Sequence, residues 1–208
     1  MKIRKIKKLH YFSGITISVF IGLHLFNHFY SVFGIEKHIE LMNSLRLFYR
    51  NILVESILLI AVVIQIYSGL KLFFVKRKLA PTFFERLQIW SGLYLSFFLI
   101  FHVTAVLGAR WFLELDTNFY FGVAGLNTFP FYIFFIPYYG LSILAFFSHV
   151  AAIHHSKMKQ TLFGITPSQQ ARFILTFGII WTMLIFYGLT NHFNGVTIPA
   201  EFDVLIGK

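Results

Sequence analysis

The sequence predicts an all-α membrane protein, a polytopic bundle of five transmembrane helices. Of its 208 residues, 57% are hydrophobic and only 12% are charged, and the mean hydropathy is +0.72. A soluble domain does not tolerate so apolar a composition, whereas a bilayer does. Five spans of about 20 residues each, with short loops, use up the chain, so we expect no additional soluble domain.

Five apolar stretches define the expected spans. Each is long enough, at about 1.5 Å per residue, to cross a hydrocarbon core of roughly 30 Å. Segment 110 to 129 is also apolar, but Asp, Asn and Gly interrupt it, so we expect an interfacial or re-entrant segment there. The whole chain, residues 1 to 208, is thus one transmembrane domain. The expected helices cover about residues 11 to 33, 51 to 75, 87 to 109, 130 to 153 and 169 to 191.

The formal net charge of +10 is concentrated in short loops between the apolar stretches. Basic loops of this kind stay on the cytoplasmic side of a membrane, and this explains the charge better than nucleic-acid binding does. We therefore place the N-terminus in the cytoplasm and the C-terminus outside. The basic residues concerned are Lys2, Arg4, Lys5, Lys7, Lys8, Lys76, Arg77, Lys78, Arg86, Lys157, Lys159 and Arg172.

Histidine is the chief possible metal ligand, because the chain contains nine histidines and no cysteine. The lack of cysteine excludes disulfides, thiolate-ligated iron–sulfur clusters and cysteine nucleophiles in this chain. Polar side chains at bilayer depth are costly and usually face a partner, a cavity or a cofactor. Four histidines lie well inside spans, and the others are expected at helix ends or in solvated loops. The four are His24, His28, His102 and His149; the others are His10, His38, His154, His155 and His192.

His24 and His102 form the strongest chemical signal in the sequence. They lie on different helices at depths that agree to roughly 5 Å, counted from the outer helix ends. Two such imidazoles can take both axial positions of one haem, which favours electron transfer. Alternatively, each histidine hydrogen-bonds a neighbouring helix. His28, one turn from His24 on the same face, is an alternative ligand or lines a haem edge or a quinone pocket.

Two further polar residues have candidate roles. His149 lies near the inner end of the fourth helix, where a second haem would require another histidine opposite it. The second helix offers only Gln65 at that depth, and glutamine is a poor axial ligand. Glu55 is the one carboxylate within an expected span. It is a candidate for proton transfer linked to quinone chemistry, or else a glutamate that snorkels outward.

Several segments carry a resemblance to a known family. They are KLHYFSG and FIGLHL in the first helix, ERLQIWSGLYLSFFLIFHV in the third, FFSHVAAI in the fourth and GITPSQQAR before the fifth. In their order and spacing, the chain resembles the five-helix cytochrome b membrane-anchor subunit of succinate dehydrogenases and menaquinol:fumarate reductases. The resemblance covers most of the chain.

The resemblance implies which residues hold haem. Family members typically hold two haems, and the outer pair of ligands matches His24 and His102. The inner pair matches His149 in the fourth helix and Gln65 in the second, so one inner ligand is missing. Ile153 also stands where the family often has glycine. We therefore expect one b-type haem, in the outer half, with two or none as the alternatives.

The resemblance also implies a function and partners. A flavoprotein and an iron–sulfur subunit would dock on the cytoplasmic face, and the flavoprotein would carry the succinate or fumarate chemistry. This chain would anchor them in a bacterial cytoplasmic membrane, as part of the respiratory chain and the tricarboxylic acid cycle. It would pass electrons through haem to or from a membrane quinone, with menaquinone favoured.

Other functions remain open at this point. A haem-free structural anchor that shapes a quinone site would explain the missing ligand in the second helix. A cytochrome b subunit of another membrane dehydrogenase, such as a nitrate reductase or a hydrogenase, fits the motif spacing less well. A small transporter with histidine proton relays would be expected to carry charged intramembrane pairs or broken-helix repeats.

Overall fold

The structure, a computed structural model, describes residues 3–208 of the chain; Lys2, one of the basic residues noted above, lies outside them. This part of the chain is helical, and five of its helices are long and apolar enough to span a membrane, so the predicted class of fold is confirmed. The helices are α1 (Ile3–Tyr30), α2 (Ile35–Tyr49), α3 (Ile52–Lys76), α4 (Phe83–Phe112), α5 (Phe119–Val123), α6 (Tyr132–Lys157) and α7 (Pro167–Leu189). The five spanning helices are α1, α3, α4, α6 and α7.

Capping residues determine where α4 and α7 begin. Thr82 accepts from the backbone N–H of Glu85, whose side chain in turn accepts from the Thr82 backbone. Thr166 and Gln169 make the same reciprocal pair, with Pro167 at the first helical position. Helix α4 therefore begins four residues before its expected start at residue 87, and α7 begins two residues before residue 169. The polar residues of a capping box precede the apolar stretch, which explains both differences.

Helix α1 differs most from its expected extent, since it begins at Ile3 rather than near residue 11. Its first turns consist mainly of Lys, Arg, Ile and Leu, all of which sustain a helix outside the membrane. The apolar stretch thus marked the membrane-embedded part and not the helix start. As a consequence, His10 lies two turns inside a spanning helix and not at its end.

The five spanning helices form a closed ring. Each contacts its neighbours along the chain, α1 with α3, α3 with α4, α4 with α6 and α6 with α7, and α7 returns to contact α1. The ring encloses an interior. Both α1 and α4 line this interior, and α3 lies between them along the ring. We call the end that contains residues 3–10, 76–86 and 157–172 the basic end, and the end that contains α2 and α5 the opposite end.

A compact cap closes the opposite end. Phe119 and Val123 of α5 and Leu126 after it are buried against α1, α6 and α7. The C-terminal 3-10 segment, Ala200–Ile206, packs on α5 and buries Phe202 completely. Segment 110 to 129 is therefore not a sixth span: α4 continues to Phe112, and the rest forms α5 and turns.

Gly188 marks a close approach between α7 and the 3-10 turn Ser31–Phe33, which follows α1. A Cβ atom at this position would lie 2.6 Å from the backbone nitrogen of Val32 and against Ser31. Backbone atoms cannot move aside as a flexible side chain can, so only glycine fits here. Small residues at such crossings are typical of membrane helices, which associate through close packing.

We expect Gly188→Ala to destabilise the bundle by about 1–3 kcal/mol, since the added methyl group must push α1 and α7 apart. The matched control is Gly22→Ala, because nothing lies within 4 Å of a Cβ placed at Gly22. That substitution should leave stability unchanged or raise it by up to about 1 kcal/mol through helix propensity. Thermal or denaturant unfolding in detergent measures both, and equal stability of the two variants would contradict the crossing described here.

Candidate functional site

The interior of the ring brings His24 of α1 and His102 of α4 together, edge to face. Their ring centroids are 6.1 Å apart, with an angle of 65° between the ring planes. Phe20 stacks on His24 and Phe98 stacks on His102, the latter at 5.0 Å and 14°. The predicted meeting of these two histidines across the bundle is therefore observed, and a phenyl ring supports each imidazole.

The spacing of the two imidazoles is suited to a single metal ion between them. A metal bonded to one nitrogen of each of two facing imidazoles at about 2 Å holds the ring centroids roughly 6 Å apart. Within residues 3–208, no group of three or more His, Cys, Asp or Glu side chains is arranged to hold a bare ion. Two imidazoles alone fit a metal that brings its other ligands with it, as haem iron does.

His24 and His102 line a cavity of about 280 Å³ within the ring. Its wall is mostly aliphatic and aromatic; the five spanning helices contribute most of it, and α2 and α5 close it at the opposite end. Mostly apolar pockets with a few polar groups are typical of cofactor and ligand sites. The polar and charged side chains in the wall include His24, His28, Tyr49, Arg50, Glu55, His102, Arg110 and Thr117.

His28 also lies in this wall, next to His24. The Nε2 atoms of the two histidines are 3.1 Å apart, so one of them donates a hydrogen to the other. On its other side, His28 stacks on His38, which is 1% exposed. The Asn27 amide nitrogen lies 3.1 Å from Nε2 of His38. Burial, followed by the neighbouring imidazole of His24 and the Arg46 guanidinium, lowers the pKa of His38 to about 4, so this imidazole is neutral at pH 7.

The expectation that His38 lies in a solvated loop is therefore wrong. Residues 35 to 49 form the helix α2, which packs on α1 and turns His38 inward under α5. The sequence carried a signal for this arrangement, since His38 and Met42 lie four residues apart and both are buried. That spacing places two residues on the same face of a helix.

Glu55 forms an ion pair with Arg110, from the first turn of α3 to the last turn of α4. Both side chains line the cavity and are about three-quarters buried, with exposed fractions of 26% and 24%. Glu55 thus has a cationic partner rather than snorkelling alone, and Arg110 is a functional candidate that the sequence analysis missed. The proton-transfer role of Glu55 stays a prediction.

More charged groups surround this end of the cavity. Arg46 and Arg50 both contact Asp116, at 3.0 and 3.7 Å, and Arg50 also donates to Thr117 at 2.8 Å. Two guanidinium nitrogens of Arg46 are buried without a hydrogen-bond partner among residues 3–208. Guanidinium groups pair well with carboxylates, and here three of them gather beside the cavity with two acidic residues.

The remaining sequence candidates, His149 and Gln65, lie nearer the basic end. The polar partners of Gln65 are Ser13, at 2.7 Å, and His10, at 3.3 Å. The imidazole of His149 instead faces His10, with ring centroids 6.4 Å apart. The longer α1 thus brings His10 into the ring, next to both Gln65 and His149.

We expect Arg110→Ala to destabilise the protein by about 1–3 kcal/mol, because the Glu55 carboxylate would lose its partner at a largely buried position. The double variant Glu55→Gln/Arg110→Met should recover most of this loss. A double-mutant cycle of unfolding free energies in detergent measures the coupling. Lys37→Ala, which breaks an exposed pair with Glu40, is the control and should change nothing measurable; a similar effect at both sites would contradict the assignment.

Comparison with family models, with curated proteins and with solved structures finds no match to this chain.

Proposed function

We propose that this chain is the membrane-anchor and cytochrome b subunit of a succinate:quinone oxidoreductase, with a b-type haem held by His24 and His102. The observation that carries the proposal is the placement of these imidazoles on separate helices, 6.1 Å apart, in the wall of an apolar cavity. The quoted sequence segments, which resemble the anchor subunits of succinate dehydrogenases and fumarate reductases, support this choice of complex.

Axial ligation by two histidines favours electron transfer. When bound by His24 and His102, haem would supply a centre that gains and loses one electron. The stacked Phe20 and Phe98 limit rotation of the two imidazoles. Neighbours that fix the orientation of ligating histidines are a usual part of metal sites.

The charged end of the cavity fits the two carboxylates that haem carries. Arg50 and Arg110 line the cavity, and Arg46 lies next to Arg50 through their shared partner Asp116. These guanidinium groups would hold propionates by charge-assisted hydrogen bonds. Such a position would direct the carboxylates towards the opposite end of the bundle and keep them out of the hydrocarbon.

The basic end is the proposed docking face for the iron–sulfur subunit. Under this proposal it faces the cytoplasm, the N-terminus is inside, the C-terminus is outside, and the membrane is the bacterial cytoplasmic membrane. The partner flavoprotein carries out dicarboxylate chemistry, while this chain exchanges electrons with a quinone, of which menaquinone is favoured. Glu55, in the cavity wall, is the candidate for exchanging a proton with that quinone.

We expect His24→Ala and His102→Ala each to lower the bound haem by one per chain, because each removes an axial ligand. His28→Ala should retain haem, and so should the control His192→Asn, which changes an exposed histidine at φ +57°, a conformation that asparagine tolerates. The reduced-minus-oxidised difference spectrum of the purified full chain measures haem content. Loss of haem in His28→Ala with retention in His24→Ala would transfer the ligand role to His28.

Purification of the tagged chain from its native membranes tests the proposed complex. We expect flavin and iron–sulfur centres to accompany the chain, and the preparation to reduce a quinone with succinate or fumarate with a quinol. The same preparation of His102→Ala should keep the flavoprotein but lose quinone-linked turnover. A haem-loaded chain without any dicarboxylate activity would favour another dehydrogenase, and a chain without haem would leave the structural anchor.

A further inference from the structure

A tight turn between α6 and α7 projects an aromatic side chain from the basic end. Leu162 and Ile165 exchange both backbone hydrogen bonds, at 3.1 and 2.9 Å, so the chain reverses direction across Phe163 and Gly164. Both of these central residues have a positive φ, +50° and +76°, which is the pattern of a type I′ turn. The Phe163 side chain is fully exposed, so the described part of the chain does not bury it.

Phe163 is an unfavourable residue for this position, yet the turn is firmly held. A positive φ brings Cβ close to the following carbonyl oxygen, so asparagine, aspartate and glycine are preferred there. The Gln170 amide nitrogen donates to the carbonyls of Ile165 and Gln160, at 2.8 and 3.2 Å. The Gln170 oxygen accepts from His154 at 2.8 Å. A costly aromatic residue, fully exposed on a fixed turn, indicates that its side chain acts on something outside this chain.

The turn forms one wall of a groove on the outer face of α7. The groove has a volume of about 370 Å³, which is within the range of roughly 300–1,000 Å³ that is typical of small-molecule sites. Its floor is one face of α7, since the residues concerned recur at helical spacings of three and four. They are Gln169, Arg172, Phe173 and Thr176, and all four are exposed. No neighbouring helix of the described chain therefore covers this face of α7.

The two long polar side chains in the groove are hydrogen-bond donors. The Gln169 side-chain oxygen accepts from the backbone and the hydroxyl of Thr166, both at 2.9 Å, and its amide nitrogen has no partner among residues 3–208. The Arg172 guanidinium likewise makes no ion pair within that range. The groove lining contains no carboxylate. Such a lining fits a ligand whose polar group is an anion with acceptor oxygens.

The charge of the surrounding basic end also favours an anion. Its three segments, residues 3–10, 76–86 and 157–172, carry four, four and three Lys or Arg side chains, and Glu85 is the one acidic residue in them. The Glu85 carboxylate accepts from the backbone and the hydroxyl of Thr82. The basic end therefore has a large excess of positive charge, which concentrates anionic molecules around the groove.

The groove lies where the membrane-spanning part of α7 begins. Arg172 is the last charged residue before a stretch that runs to Leu189 without another. Thr176 lies one helical turn further along, about 6 Å deeper, and Phe173 between them is 61% exposed. The polar half of the groove is thus at the level of lipid head groups, and its apolar half continues onto the helix surface that contacts acyl chains.

We propose that this groove binds one anionic phospholipid. The lipid phosphate accepts from Arg172 and Gln169, and an acyl chain lies along Phe173 and Thr176. Phe163 closes the groove from the side of the turn, which gives its exposed ring a partner. Basic pockets at the ends of membrane helices are typical sites for anionic head groups. The site lies on the outside of the bundle, and the inference does not depend on the proposed electron transfer.

Lipid titration of the delipidated full chain in detergent, followed by native mass spectrometry, tests the proposal. We expect one phosphatidylglycerol to bind about tenfold more tightly than phosphatidylcholine, whose head group has no net charge. Arg172→Gln should abolish this preference, since it removes the charged donor. Phe163→Asn, which suits the turn geometry, should weaken phosphatidylglycerol binding by a factor of about three to ten. Lys78→Gln is the matched control, because it removes a basic charge from the same end outside the groove, and it should keep the preference.

Thermal unfolding in detergent gives a second measurement. Phosphatidylglycerol should raise the unfolding temperature of the unsubstituted chain and of Lys78→Gln but not that of Arg172→Gln, because a ligand that binds only the native state stabilises it. Without lipid, Arg172→Gln should unfold like the unsubstituted chain, since Arg172 is exposed. Equal binding of the two lipids, or an unchanged preference in Arg172→Gln, would refute the site. Inorganic phosphate that binds as tightly as phosphatidylglycerol would assign the groove to a free anion and would also overturn the proposal.

Discussion

The cost of placing an imidazole in a membrane is the constraint on which the rest of this structure depends. Each ring carries two nitrogens that hydrocarbon cannot satisfy, so a histidine at that depth must face the interior and find a partner. The five spanning helices form a closed ring, and His24, His102, His10 and His149 pair across its interior. The apolar surface of the helices faces lipid, and the chemistry is confined to the inside.

The two imidazole pairs differ in how the protein supports them. At the His10–His149 pair, Ser68 and the Gln88 carbonyl hold the Nδ1 hydrogens and set both tautomers. At the other pair, support comes from the stacked Phe20 and Phe98, and His24 contacts His28 through Nε2. The first pair is thus held by hydrogen bonds to the protein, and the second mainly by aromatic stacking.

The sequence predicted the parts of this structure that depend on hydropathy and spacing. Five spans, their order and the meeting of His24 with His102 follow from apolar stretches and from equal depths, which are nearly local properties. The extension of α1 to Ile3, and with it the position of His10 inside the bundle, was missed because hydropathy reports the apolar stretch and not the helix end. His10 and His24 lie on nearly the same face of α1. With α1 extended to Ile3, that register would have indicated that both histidines face the interior of the bundle.

Contacts between distant segments could not be predicted from the sequence, for a different reason. The pairing of Glu55 with Arg110 and the burial of His38 both depend on how the ends of α3, α4 and α2 come together. No periodicity within one segment encodes such a meeting, since each partner alone is compatible with a solvated position. Ring closure by α7 on α1 is likewise a property of the whole bundle.

The central claim is that facing histidines of this chain take both axial positions of haem iron. The most direct measurement is the low-temperature electron paramagnetic resonance spectrum of the oxidised full chain, together with the optical response of the reduced chain to carbon monoxide. Ligation by two histidines predicts a low-spin ferric signal and no binding of carbon monoxide, because no position on the iron is open. A high-spin signal, ready binding of carbon monoxide or the absence of haem would contradict it.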